Sequence, residues 1–295
     1  MVMESVNPPR NTAQILRISL EHIDNEDDFE AVKAFEIHVP MSSSFPKTNI
    51  SFKAFDNILI QEARQRGLSN FSFAINGFQY LPHEFHDSLS MEQIQGSCGE
   101  NLVQEYLRSL HGVLMSHLGA KKIILYDWRV VRCTTNNQSF PHPSTRKLQL
   151  PPAKWVHADE SAHCGLRIVR DHLVEQEQIE LDNGTGRFRI INIWRPLVAV
   201  VKERPLALCD WNSVQADDWE LCDQIHHDRV DEAMYLKHRG THKWWWLSDQ
   251  TCDELALFVV WDSKDTPHAA FDLPGSGGEH GRQSIEVRSI VWTDS

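Results

Sequence analysis

Short runs of alternating apolar and polar residues dominate the chain, and they predict strands. Residues 15–20 and 35–39 alternate and carry branched side chains. Residues 50–67 are mixed in pattern and end in a short helix carrying Arg64 and Arg66. Residues 71–80 again read as strand, with Gly77 at a bulge. The clearest helix covers residues 101–118. Leu102, Tyr106, Leu110, Val113, Leu114 and Leu118 recur there at helical spacing, and Gly119 sits at the C-terminal cap. A strand follows over 122–133, and the polar, proline-bearing stretch 134–152 reads as a loop. Further strands are expected at 154–159, 188–195, 197–201, 206–209, 244–247, 255–260 and 284–291. Turn signals such as Asp182-Asn183-Gly184 separate them. The acidic stretch 217–232 reads as a solvated helix. Many short strands with few helices predict a mainly β fold with flanking helices, a sandwich or jelly roll.

Composition narrows the function classes. The 295 residues include 41 acidic and 29 basic side chains, a formal charge of −12, which argues against general nucleic-acid binding. With 41% hydrophobic and 24% charged residues the chain is globular rather than disordered or collagen-like. The longest apolar runs, near 197–201 and 255–261, are too short to span a bilayer, and residues 1–10 hold no apolar stretch suited to export. The six cysteines are spread without a C-x-x-C pair, which reads as free thiols in a reducing cytoplasm. Sequons at Asn49, Asn70, Asn137 and Asn183 are then without consequence. The expected partner is a small molecule, with no nucleic acid and no membrane; monomer and homodimer both suit the charge.

The sharpest chemical signal is Trp155-Val156-His157-Ala158-Asp159. Residues two apart on a strand share a face, so His157 and Asp159 aim an imidazole and a carboxylate at one point. A third ligand would complete a 2-His-1-carboxylate site for Fe(II), with positions open for substrates. Late in the chain come Pro267-His268-Ala269-Ala270-Phe271 and Arg282-Gln283-Ser284-Ile285-Glu286-Val287-Arg288. Arg282 offers a planar fork of donors, and Ser284 shares its face and adds a hydroxyl, a pair suited to a carboxylate.

With Asn192-Ile193-Trp194-Arg195-Pro196-Leu197, Pro205-Leu206-Ala207-Leu208-Cys209-Asp210, Glu254 and Trp261-Asp262-Ser263, these segments resemble one family. It is the fungal hydroxylase/desaturase family of secondary metabolism, which includes gibberellin desaturase-like and cephamycin methoxylation-related proteins. The resemblance runs from about Val130 to the C-terminus. It implies a double-stranded β-helix, a cupin-like jelly roll, that oxidises small metabolites with Fe(II), 2-oxoglutarate and O2. It implies His157, Asp159 and His268 as iron ligands and Arg282 with Ser284 as the 2-oxoglutarate anchor, Arg288 being the rival anchor. Chlorinating members of the superfamily typically lack the carboxylate, so Asp159 favours hydroxylation, desaturation or ring formation. A single oxygenase domain over 1–295 is expected, with N-terminal strands and a buttressing helix in 1–120 and the metal-bearing core in 121–295.

Other residues have two readings. Asn192 and Trp194 share a strand face while Arg195 points the other way. Asn192 and Arg195 either lie by the cosubstrate or substrate, or Trp194 is core and Arg195 pairs with a carboxylate. Trp244–Trp246 read as core rather than as a stacking platform. His83 and His86 read as loop histidines. His226-His227 and the His238/His242 pair read as surface groups. His163 is expected beside the metal site or facing substrate. Two rival functions need fewer features. A hydrolase or isomerase would use the three ligands to activate water without the Arg-x-Ser pair. A non-catalytic jelly-roll module would need no metal.

Overall fold

The computed structural model describes residues 15–24, 29–40, 45–85, 89–132, 140–141, 148–262, 264–276 and 281–294. In chain order its elements are β1 (Ile15–Ile23), β2 (Ala34–Ile37), β3 (Phe52–Glu62), α1 (Ala63–Arg66), α2 (Phe73–Asn76), β4 (Phe78–Pro82), α3 (Met91–Gln95), α4 (Gly99–Leu118), β5 (Lys122–Arg132), β6 (Phe140–Pro141), β7 (Leu148–Leu150), β8 (His157–Ala158), α5 (Ala162–His172), α6 (Glu175–Asp182), β9 (Arg187–Pro196), β10 (Leu206–Cys209), β11 (Trp219–Ile225), β12 (Val230–Leu236), β13 (Trp244–Trp246), β14 (Glu254–Trp261), β15 (His268–Ala270) and β16 (Gln283–Thr293).

The strands form two mixed sheets. The major sheet runs β1-β3-β13-β10-β15-β8-β12-β11-β2, and the minor sheet runs β4-β14-β9-β16-β5-β7-β6. Strand alternation sorts side chains between the layers. Ile190, Trp194, Phe258 and Ile290 of the minor sheet share an apolar cluster with Leu206, Leu208 and Trp245 of the major sheet. The other face of the minor sheet presents Ile191, Ile193, Leu257, Ile285 and Val287 to Val103, Tyr106, Leu110 and Leu114 of α4. Those four recur at the spacing that puts one stripe of a helix on a core, and Gly119 closes the helix in the left-handed region. Trp244 and Trp246 pack with Ala207, Ala269 and Phe271, so the three-tryptophan run is core. Among the described residues no helix is long and apolar enough to cross a membrane.

Several elements depart from the sequence reading. The acidic stretch 217–232 is not a helix: β11 and β12 form an antiparallel hairpin there. Its charges are satisfied across strands, with Lys33 bonded to Asp223 and Glu232 and Lys237 to Glu220, and a charged face of this kind hides the alternation. Residues 71–80 are split. Ser72 caps α2 by accepting from the Ile75 N–H, and Gly77 ends it at φ 83° before β4 begins. Gly77 is therefore a helix stop, not a bulge. Helices α5 and α6 were not predicted, and residues 197–201 contribute only the isolated Val200–Thr251 bridge. The expected loop over 134–152 holds the short strands β6 and β7, and residues 133–139 and 142–147 lie outside the described set.

Candidate metal centre

His157 and His268 come from adjacent strands of the major sheet and are direct partners across the β8–β15 ladder. Their rings lie 4.3 Å apart between centroids. Asp159 follows β8 in the bend that leads into α5, whose cap Ser161 accepts from the Cys164 N–H. The ligand atoms of His157, Asp159 and His268 all lie within 4.8 Å of one another. His157 Nε2 is 3.9 Å from Asp159 Oδ1, and His268 Nε2 is 3.8 Å from Asp159 Oδ2.

Each imidazole is oriented through its other nitrogen. His157 Nδ1 is 3.0 Å from the Trp155 carbonyl, and His268 Nδ1 is 3.2 Å from the Thr266 carbonyl. A carbonyl only accepts, so both Nδ1 atoms carry the hydrogen and both Nε2 lone pairs face the cluster. Phe258 of the minor sheet backs the His268 ring at 4.6 Å. Burial pushes the His157 imidazole down to about 4, and burial lowers His268 as well. Burial pushes the Asp159 carboxyl up, but the Arg288 guanidinium, His268, His157 and Arg129 together outweigh it and hold the group below the usual carboxylate range. Two neutral imidazoles and an ionised carboxylate with converging lone pairs form a donor set that fits Fe(II), with oriented tautomers and no proton to displace near neutral pH.

A cavity of about 100 Å³ opens on this cluster, lined also by Arg129, Trp194, Leu206, Arg282 and Glu286. Arg282 stacks over the Trp194 ring at 5.1 Å and donates from Nη1 to the Arg204 carbonyl at 2.8 Å. Ser284 follows two residues later, just inside β16; it is fully buried, and its Oγ has no hydrogen-bond partner among the described residues.

Arg288 stands elsewhere in the arrangement. Its Nη2 donates to Asp159 Oδ1 at 2.8 Å and its Nη1 to Glu160 Oε1 at 3.0 Å. It is engaged by carboxylates of the protein itself, whereas Arg282 and Arg129 line the cavity. Asn192 is brought to the site through Asp159, donating from Nδ2 to Oδ2 at 2.6 Å. Arg195 is not brought to the cavity. It lies among the α4 contacts, with Nη1 2.9 Å from His83 Nδ1, its guanidinium 5.3 Å from the Tyr106 ring and Nη2 3.8 Å from Asp253.

The remaining histidines separate clearly. His163 is exposed on α5 and is not in the cluster. His83 lies in the loop just past β4, as expected, but it is buried there and bonded to Ser109 and Arg195, while His86 falls outside the described residues. His242 is buried too, 3.0 Å from Asp218, with His22 stacked on it at 6.4 Å. Its surface placement from the sequence is corrected: the turn after β12 folds back onto β1. Sequence reasoning passed over Glu160, Glu286 and Arg129. For Glu286 a signal existed, since Arg282, Ser284, Glu286 and Arg288 alternate along one strand and so share a face.

Comparison with known proteins fits this geometry. A family model described as an oxidoreductase/YMDC permease-like domain matches residues 20–292. The chain is 30% identical to the hydroxylase/desaturase CTB9 of Cercospora beticola, over 76% of this chain and 73% of that protein. It is 25% identical to the Fe(II)/2-oxoglutarate-dependent dioxygenase nvfI of Aspergillus novofumigatus, over 76% and 78%. The solved structure of the iron and alpha-ketoglutarate-dependent endoperoxidase NvfI superposes with a TM-score of 0.80 at 21% identity, covering 95% of this chain and 99% of that one, and so shares its fold. The chain belongs to the family of fungal Fe(II)/2-oxoglutarate-dependent dioxygenases that contains these hydroxylases and desaturases.

Proposed function

We propose that the protein hydroxylates, desaturates or ring-closes a small natural-product intermediate, with His157, Asp159 and His268 as its iron ligands and Arg282 with Ser284 as the anchor of 2-oxoglutarate. The convergence of the three ligand atoms within 4.8 Å carries the reading. Iron, when bound, supplies the redox chemistry that couples O2 to decarboxylation of 2-oxoglutarate and to oxidation of the substrate.

The side chains supply placement. The Trp155 and Thr266 carbonyls hold the two Nε2 lone pairs on the metal position. Arg282, stacked on Trp194, presents its fork to the distal carboxylate of 2-oxoglutarate. The buried Ser284 hydroxyl, which has no partner among the described residues, gains an acceptor in that carboxylate. Leu206 and Ala270 line the same cavity and keep water from the reacting centre. Arg129 and Glu286 line it too and offer polar contacts to substrate. The enzyme works on this small molecule in the cytoplasm, as a monomer or homodimer, without nucleic acid or membrane as partner.

The test is anaerobic addition of Fe(II) and 2-oxoglutarate to metal-free protein. A visible metal-to-ligand charge-transfer band is expected, lost in His268→Ala and weakened in Arg282→Ala. A wild-type protein that binds the metal but gives no such band is not a 2-oxoglutarate oxygenase.

A further inference from the structure

All three metal-directed side chains issue from the major sheet, yet they are not equally constrained by it. His157 and His268 sit on paired strands, and each has its Nδ1 bonded to a carbonyl. Asp159 lies beyond the end of β8, in a bend without a ladder partner. A carboxylate on a free bend would swing about its side-chain torsions.

What restrains it comes from the opposite layer. Asn192 on β9 and Arg288 on β16 are direct partners across the minor sheet. Both are buried. Asn192 Nδ2 takes Asp159 Oδ2 at 2.6 Å, and Arg288 Nη2 takes Oδ1 at 2.8 Å. The amide orientation is dictated by chemistry: the carboxylate only accepts, so the Asn192 nitrogen must face it. Arg288 also holds Glu160 with Nη1 at 3.0 Å, so one planar guanidinium spans two consecutive residues of the bend.

We propose that Asn192 and Arg288 are a pair of positioning residues, a clamp that sets the Asp159 carboxylate in its metal-binding orientation before metal arrives. The proposal rests on the metal-centre reading above. A merely structural role, neutralising a buried carboxylate, would appear in stability alone. A positioning role appears in metal affinity and in the ligand field of the bound ion.

Cobalt(II) serves as the probe, titrated anaerobically into metal-free protein and followed by its visible d–d absorption, with thermal unfolding of each metal-free variant alongside. Asn192→Ala is expected to weaken cobalt binding by about 10- to 100-fold, the range seen when partners of metal ligands are removed. Its absorption band should shift while its unfolding temperature stays close to wild type. Arg288→Lys keeps the charge but cannot span both acids, and the same direction of change is expected. Wild-type affinity and an unshifted band in both variants would overturn the clamp while leaving the metal centre standing. If Arg288→Lys does not fold, Asn192→Ala decides alone. If wild-type protein shows no cobalt spectrum that His268→Ala abolishes, the metal-centre reading and the clamp both fall.

Discussion

His157 and His268 are 111 positions apart in the chain, yet their backbones pair directly across β8 and β15 and their rings approach to 4.3 Å. The pairing makes the two imidazoles interdependent, because a shift of either strand by one residue would turn one ring to the opposite face of the sheet. Replacing either with alanine should therefore abolish metal-dependent turnover rather than merely weaken it. Succinate formed from 2-oxoglutarate in the presence of Fe(II) is expected to fall by about two orders of magnitude or more in His157→Ala and in His268→Ala. Full turnover in either variant would refute the ligand assignment.

The Arg282 prediction concerns the cosubstrate alone. Removing a guanidinium that pairs with a buried carboxylate costs on the order of 2–5 kcal/mol. Arg282→Ala should raise the dissociation constant of 2-oxoglutarate accordingly, measured by calorimetry on manganese-loaded protein. Ser284→Ala, which removes a single hydroxyl, should cost about 1 kcal/mol. Neither change should alter the affinity for the metal itself as strongly as loss of a ligand, since neither residue is one of the three ligands. With the metal site kept saturated, an unchanged 2-oxoglutarate dissociation constant in Arg282→Ala would show that the anchor has been misassigned.

What the amino-acid sequence disclosed about this centre follows from how local each contact is. His157 and Asp159 are two apart, which makes them legible as neighbours, although Asp159 lies in the bend past β8 and its contacts to Asn192 and Arg288 set where the carboxylate points. His268 is recognisable from the segments around it, and Arg282 with Ser284 from alternation on the last strand. The partners of Asp159 are a different matter. Arg288 reads equally well as a cosubstrate anchor until the distance to Asp159 is known, because only the stacking of two sheets decides which carboxylate it meets. Asn192 and Arg195 are three residues apart on β9, so their opposite faces are legible, but the partner each meets, Asp159 for one and His83 for the other, is decided by packing. The β11–β12 hairpin was hidden for a related reason: its acids are balanced by Lys33 and Lys237, at positions no local pattern reveals.

Gly77 links a backbone requirement to the orientation of His268. It adopts φ 83°, and a Cβ there would lie 2.4 Å from Thr266 Oγ1 and 2.8 Å from the Trp211 ring. Thr266 bonds the Gly77 carbonyl through Oγ1 and presents its own carbonyl to His268 Nδ1. Gly77→Ala adds left-handed strain to a steric clash, so a loss of roughly 2 kcal/mol or more is expected in denaturant unfolding. The same displacement should reach His268 and weaken cobalt binding. A control is Leu110→Ala in α4, buried on the far face of the minor sheet. It should lose about 2–5 kcal/mol of stability with no change in metal affinity.

Acid sensitivity should come in part from histidines outside the metal centre. His22 is fully buried with Nδ1 3.0 Å from the Leu236 carbonyl, and its Nε2 has no partner among the described residues. Burial, with His238 and His242 adding to it, outweighs that bond and lowers the imidazole from 6.5 to about 3. Burial likewise lowers His83 to about 4, with Arg195 adding to the effect. Above pH 6.5 these groups are neutral in folded and unfolded chains alike and contribute no pH dependence. Below it the unfolded chain takes up protons that the folded one refuses, so stability falls with acidification. The fall is about 1.4 kcal/mol per pH unit for each group, continuing until the folded value is reached. Unfolding free energies measured by urea between pH 7.5 and 4.5 should thus decline steadily. His22→Asn should flatten the decline by about one group's share, and an unchanged slope in that variant would mean that His22 is not a source of it.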